Sequence, residues 1–255
     1  MILNSFILLI SLFLPLEQKR QGDIPVYSYE IVNVYPHDTT AFTQGLFFKD
    51  GYLFESTGQV DQSTIRKVEL ETGNTVQVEK FPAGIFGEGI IDWGDRLIGL
   101  SWRHQTGFEW DINSFKMKGT FEYPGEGWGL TRNDTHILMS DGTPAIRFLD
   151  PETLNEVRRI EVKAQGRPLI NINELEWVDG EIFANIWQTD FIARINPENG
   201  DVVGLINLRG LLSREDIIPG YTDVLNGIAV NAEGKLFVTG KYWPKLFEIR
   251  LVKIK

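Results

Sequence analysis

The sequence contains no cysteine. Disulfides, thiol nucleophiles, cysteine-ligated zinc and a lipid anchor on cysteine are thereby excluded. Histidine is almost as scarce: His37, His104 and His136 are the whole supply, and they share no metal-ligand spacing. No run of Lys and Arg exceeds two residues, and the net charge is -10. A field of that sign argues against DNA, RNA or an anionic lipid surface as the main partner. Glycine-rich phosphate loops, G-x-S-x-G and H-E-x-x-H are all missing. Beyond residue 25 no 3.6-residue apolar periodicity of any length occurs, so the chain is not built on amphipathic helices.

Two kinds of segment are present instead. The first is an apolar run from Ile2 to Leu16. A membrane span needs about 20 apolar residues, so the run is short for an anchor and fits the apolar region of a signal peptide better. No Lys or Arg precedes it, Lys19 and Arg20 follow it, and no A-x-A site ends it. Residues 1–22 are accordingly read as a signal peptide or short hydrophobic leader. The implied location is secreted or periplasmic, with no stable membrane insertion.

The second kind is a repeat. GLFFKDGYLF at Gly45, GIIDWGDRLI at Gly89, GLTRNDTHIL at Gly129, ELEWVDGEIF at Glu174 and GIAVNAEGKLF at Gly227 share one layout. Each is a short apolar strand, a polar turn and a second apolar strand. A third strand follows in every case (TIRKVEL, TGFEWDI, PAIRFLD, DFIARIN, PKLFEIR), and in the first four a turn and a fourth strand. The fifth unit lacks a fourth strand. EIVNVYP, ahead of the first unit, ends in Tyr-Pro as TFEYP does and is the candidate to supply it. Four strands per unit, recurring about every 45 residues, is the period of a β-propeller blade. The expectation is an all-β chain: a five-bladed β-propeller over residues 26–255, its ring closed by the N-terminal strand. The interval before the last unit carries an extra segment, Arg209 to Thr222, with LLSREDII as a possible short helix.

In a propeller the first strand of each blade lines the central channel. The residues just before those strands are Gln44, Glu88, Trp128, Asn173 and Asn226; a second equivalent set, late in the second strands, is Gly58, Trp102, Gly142, Trp187 and Lys241. Taken singly, an indole is more often core than site, and Asn beside Gly is usually turn chemistry. Glu88 differs: it follows Phe86 and stands between Gly87 and Gly89, which suggests a sharp turn and a carboxylate with little cover. A carboxylate aimed into an aromatic-walled channel has its pKa raised, as a general acid/base requires. A calcium-dependent, lactonase-like propeller is the alternative, weakened by the single carboxylate among the upper positions. A propeller that only binds a ligand is the other.

AFTQGL, FGEGI, EGWGL, NELEW, ANIWQTD, LNGIA and TGKYWP, in that order and spacing, resemble the glutamine cyclotransferases of plants and bacteria over roughly residues 26 to 250. The resemblance implies an enzyme that cyclises the N-terminal glutamine of peptides or proteins to pyroglutamate without a metal or other cofactor. It further implies Glu88 as the catalytic glutamate and Phe42, Gln44, Phe86, Trp102, Trp128, Asn173, Trp187 and Lys241 as pocket residues. With the groups read from the repeat, Glu88, Lys241 and Asn173 become the expected catalytic set. Phe42, Gln44, Phe86, Trp102, Trp128, Trp187 and Asn226 become the expected substrate-binding set. A monomer is expected. The short tail beyond Lys241 and the Arg209 to Thr222 segment depart from the family pattern.

Overall fold

The computed structural model describes residues 23–254; the expected leader, 1–22, lies outside them. The described chain is all-β apart from one 3-10 turn, Arg214–Asp216. After β1 (Val26–Pro36), three four-stranded antiparallel sheets follow in sequence order. The first holds β2 (Thr43–Lys49), β3 (Tyr52–Thr57), β4 (Thr64–Glu69) and β5 (Thr75–Lys80). The second holds β6 (Gly87–Trp93), β7 (Arg96–Ser101), β8 (Thr106–Asp111) and β9 (Met117–Glu122). The third holds β10 (Leu130–Arg132), β11 (Ile137–Ser140), β12 (Ala145–Leu149) and β13 (Glu156–Glu161). A two-stranded hairpin, β14 (Lys163–Ala164) and β15 (Arg167–Pro168), precedes the fourth set.

That fourth set is β16 (Ile172–Val178), β17 (Glu181–Ile186), β18 (Phe191–Ile195) and β19 (Val202–Asn207). The fifth has three strands of its own: β20 (Leu225–Val230), β21 (Leu236–Gly240) and β22 (Lys245–Lys253). β1 lies antiparallel to β22 from Tyr27 opposite Lys253 to Pro36 opposite Lys245. Its start also pairs in parallel with β19, Val26 opposite Leu205, which joins the last two sets into one eight-stranded sheet. The segment expected to complete the last set thus pairs with it, over a strand that begins earlier than EIVNVYP.

Burial falls from the first to the fourth strand of a set. β6 is buried from Gly87 to Asp92, whereas β5 and β13 are exposed along most of their length. The sequence dictates that gradient. First strands are buried along most of their length and carry charge only where it is enclosed; TVQVEK and EVRRIE put charge on the outermost ones, which protects an otherwise open edge. The first strands pack on one another in order, β2 on β6, β6 on β10, β10 on β16 and β16 on β20, with β20 beside β2. The extra segment before β20 holds its short helix as the single 3-10 turn Arg214–Asp216 and is tied down on either side: Leu211 and Leu212 enter the core, and Lys245 Nζ binds Asp216 Oδ2 at 2.6 Å.

Candidate active site

The register between first and second strands slips at the same place in four of the five sets. The slips fall between Thr43 and Gly45, Gly87 and Ile90, Ile172 and Leu175, and Leu225 and Ile228. Gln44, Glu88, Asn173 and Asn226 sit inside them. A bulge leaves its extra residue out of the ladder and re-aims its side chain, a common device beside functional sites. One hydrogen bond recurs with it. The amides of Gly58, Trp102, Trp187 and Lys241 donate to the carbonyls of Phe42, Phe86, Asn171 and Val224 at 2.8, 3.0, 2.9 and 2.9 Å. Both sets of repeat-equivalent positions are therefore brought to one end of the inner strands.

The glycines around Glu88 act differently from the expectation of a sharp turn. Neither Gly87 nor Gly89 has a positive φ; a Cβ on Gly89 would stand 2.6 Å from Leu130 N and 2.7 Å from Trp128 O. Glycine here permits close approach of neighbouring inner strands, and Gly89 N donates to Trp128 O at 2.7 Å. The carboxylate, far from lacking cover, belongs to a residue only 4% exposed. Gly142, at φ +77, makes room for the Trp128 ring in the same way.

The result is a cavity of about 340 Å³ lined by Phe42, Gln44, Phe86, Glu88, Trp102, Trp128, Asn173, Trp187 and Lys241, together with Gln59, Gln188, Asp223 and Val224. Asn226 is the expected residue that does not reach it. It is fully buried; its Nδ2 donates to Thr43 O at 2.9 Å and lies 3.4 Å from Gln44 Oε1. It is a support for Gln44. With its oxygen turned to Asn226, Gln44 offers its NH₂ to the cavity.

A run of aromatic rings includes the wall residues Phe42, Phe86 and Trp102 and continues behind them to Tyr242 and Tyr221, which do not line the cavity. Tyr221 stacks on Tyr242 at 4.8 Å, Tyr242 meets Phe42 at 5.1 Å, Phe42 meets Phe86 edge-on at 6.0 Å, and Phe86 meets Trp102 at 5.5 Å. On the other side Trp128 and Trp187 meet edge-on at 5.5 Å. Between Trp102 and Trp128 the link is a carboxylate. Glu126 Oε2 accepts from both indoles, at 2.7 Å from Trp102 Nε1 and 2.9 Å from Trp128 Nε1.

Two charged groups face this cavity without a partner. Among the described residues the Glu88 carboxyl forms no hydrogen bond or ion pair, and Lys241 Nζ has none either, lying 4.5 Å over the Phe42 ring. Burial pushes the Glu88 carboxyl well above its ordinary pKa; the Lys241 charge opposes that rise and the Glu126 charge adds to it. Burial pushes the Lys241 ammonium down, against the pull of Glu88 and Asp223. Each group is thereby shifted toward its neutral form, which suits exchange of a proton near neutrality. Asn173 Oδ1 is buried without a partner. No group of three or more His, Asp or Glu placed to hold a metal ion occurs among the described residues.

Glu126, Val224, Asp223, Gln59 and Gln188 were not found from sequence. Four were within reach: Glu126 and Val224 stand two residues before Trp128 and Asn226, as Phe42 and Phe86 stand before Gln44 and Glu88, and Gln59 and Gln188 directly follow the equivalent positions Gly58 and Trp187, both at positive φ, 87 and 64. Asp223 follows the extra segment and has no repeat signal.

Comparison with known proteins places the chain in a family. The family model described as glutamine cyclotransferase matches residues 6–251. A glutaminyl-peptide cyclotransferase of Arabidopsis thaliana is 43% identical over 227 residues, 87% of this chain and 71% of the relative. The crystal structure of Myxococcus xanthus glutaminyl cyclase superposes with a TM-score of 0.84 at 39% identity, over 91% of this chain and all of the other. A protein of unknown function from Bacteroides caccae, 18% identical with a TM-score of 0.53 over 67% of this chain and 69% of its own, shares the fold alone. The chain belongs to the glutamine cyclotransferase family.

Proposed function

We propose that this chain is a glutaminyl-peptide cyclotransferase, an aminoacyl-type acyltransferase that needs no metal. It acts on peptides or proteins with N-terminal glutamine, in a secreted or periplasmic location, as a monomeric five-bladed β-propeller whose ring β1 closes. The observation that carries the chemistry is the pair of buried, unpartnered charged groups, Glu88 and Lys241, facing one aromatic cavity. The five four-strand sets, their packed first strands and the β1–β22 pairing support the propeller. Among the described residues no helix is long and apolar enough to cross a membrane.

The substrate's free α-amine attacks its own γ-carboxamide carbon. A C–N bond forms, the bond to the amide nitrogen breaks, and ammonia leaves with the proton that the amine gave up. The nucleophile is tethered, so holding the folded conformer supplies much of the acceleration. A 340 Å³ cavity walled by Trp102, Trp128 and Trp187 is large enough for such a five-membered ring and offers it apolar walls. Glu88 takes the amine proton and returns it to the leaving nitrogen, work typically worth about 10²–10⁴-fold. Its raised pKa makes both halves of that cycle accessible. Lys241, the Asn173 amide and the Gln44 NH₂ are the donors available to the developing oxyanion.

The test is to incubate the purified protein with a glutamine-initiated dipeptide and measure ammonia release, before and after dialysis against a chelator. Release in both samples is expected. No release overturns the function, and loss that returns with zinc or calcium overturns the metal independence.

A further inference from the structure

We propose that Glu126 is a positioning residue that fixes the two indoles of the substrate wall, Trp102 and Trp128, as a single rigid clamp. The proposal rests on the function above for its substrate. The aromatic wall has ring-to-ring contacts from Phe42 round to Trp102 and between Trp128 and Trp187. Between Trp102 and Trp128 a polar side chain stands in place of such a contact. One carboxylate oxygen accepts both indole N–H groups, and the other accepts from Arg103 Nε at 3.0 Å.

Arg103 completes the device from behind. Its guanidinium lies 3.7 Å over the Trp102 ring and does not line the cavity. Trp102 is thus held at its edge by Glu126 and on its face by Arg103, while Trp128 shares the same oxygen. Both indoles and their acceptor come from adjacent stretches, SWRH at the end of β7 and EGWG before β10. The position equivalent to Glu126 carries Phe in the first two sets, where it belongs to the wall itself. In the third set the same slot carries an anion that holds the wall. Hydrogen bonds to an ionised acceptor are the stronger kind and fix direction as well as distance.

An aromatic wall contacts substrate and transition state alike, so loosening it acts on KM more than on kcat. Glu126→Ala leaves both indoles without an acceptor. With a glutamine-initiated dipeptide, KM should rise about 10-fold or more while kcat changes less than about 3-fold. Glu126→Gln, which keeps one oxygen able to accept both N–H groups, should restore most of the loss. In a Trp102→Phe/Trp128→Phe background, where neither ring can donate, Glu126→Ala should change KM little further. Glu126→Leu replaces the alanine variant if that does not fold.

Near-ultraviolet circular dichroism between about 280 and 300 nm reads indole asymmetry without substrate or turnover. Glu126→Ala should lose the bands that Trp102→Phe/Trp128→Phe loses, and Glu126→Gln should keep them. Unchanged bands, an unchanged KM, or an equal KM effect in the double-Phe background would overturn the clamp. Wild-type protein that releases no ammonia, yet loses its indole bands in Glu126→Ala, would sink the proposed function and leave the clamp standing.

Discussion

Buried carboxylates occur at several positions along the inner strands, and they behave differently. At one end Glu88 faces the aromatic cavity with no hydrogen bond among the described residues. Farther along the strands, Glu174 Oε2 accepts from Ile228 N at 2.9 Å and its Oε1 from Leu46 N at 3.3 Å, tying β16 to β20 and β2. Glu176 accepts from Val230 N at 2.8 Å and Thr131 Oγ1 at 3.4 Å, and Asp92 is paired with Lys49 and Arg132. Burial raises the pKa of Glu88, Glu174 and Glu176 alike. A perturbed pKa therefore does not single out the proposed base. What selects it is a free carboxyl beside open, apolar-walled space; the other two spend their oxygens joining strands.

The comparison breaks most sharply on Glu88→Gln. The amide keeps size and polarity but cannot cycle a proton. It should lower kcat by about 10²-fold or more with KM little changed. A variant that kept most of its kcat in the ammonia assay would mean that the free carboxyl is not the base.

Next in size is Lys241→Met. Removing a proposed donor to the oxyanion should cost about 10-fold or more in kcat, with Asn173 and Gln44 still in place. The pH profile sharpens the point. The Lys241 charge holds Glu88 below the pKa that burial alone would give it. Without that charge Glu88 rises further. Because the base must be ionised, the acid limb of kcat/KM should move to higher pH. A limb that stays in place, or moves to lower pH, would show that the two groups are not coupled.

Trp128→Ala should have a smaller effect on turnover and a larger one on binding, with KM raised about 10-fold and kcat nearly unchanged. Kinetics in which kcat falls and KM does not would reverse the roles given to wall and carboxyl.

The repeat made most of this legible. Strand runs and turns of fixed layout located the sets, and equivalent positions within them located Glu88, Lys241 and the indoles. The same logic extended two residues upstream points to Glu126 and Val224, but a lone Glu between Pro-Gly and Gly-Trp looks like loop charge until its indole partners are seen. Asn226 misled for the opposite reason. It occupies the same bulge as Glu88 and Asn173, yet its amide is taken up by Thr43 and Gln44. Repeat position tells where a residue sits and not which neighbour claims its side chain. Glu174 and Glu176 stand in NELEW, which the family resemblance covers, but their role as strand ties depends on amides from β2 and β20, far away in sequence.

Glu176→Gln tests the structural end of the comparison and should leave kcat and KM within about 2-fold of the parent, since the residue does not line the cavity. Its effect belongs to stability and follows from proton linkage. Burial raises the Glu176 pKa from 4.5 to about 8, against the hydrogen bonds from Val230 and Thr131. Between those values the folded protein holds a proton that the unfolded chain has released. Stability from this group is therefore full below the ordinary carboxyl pKa and is lost as pH rises toward about 8. The limiting slope for one proton is about 1.4 kcal/mol per pH unit. The glutamine side chain stays neutral throughout; its oxygen can still accept from Val230 N and its NH₂ can donate to Thr131 Oγ1. Denaturant unfolding at pH 5, 6.5 and 8 should then show the variant gaining on the parent as pH rises, by about 1 kcal/mol or more across the range. A difference that is flat with pH would mean that Glu176 is ionised in the folded protein.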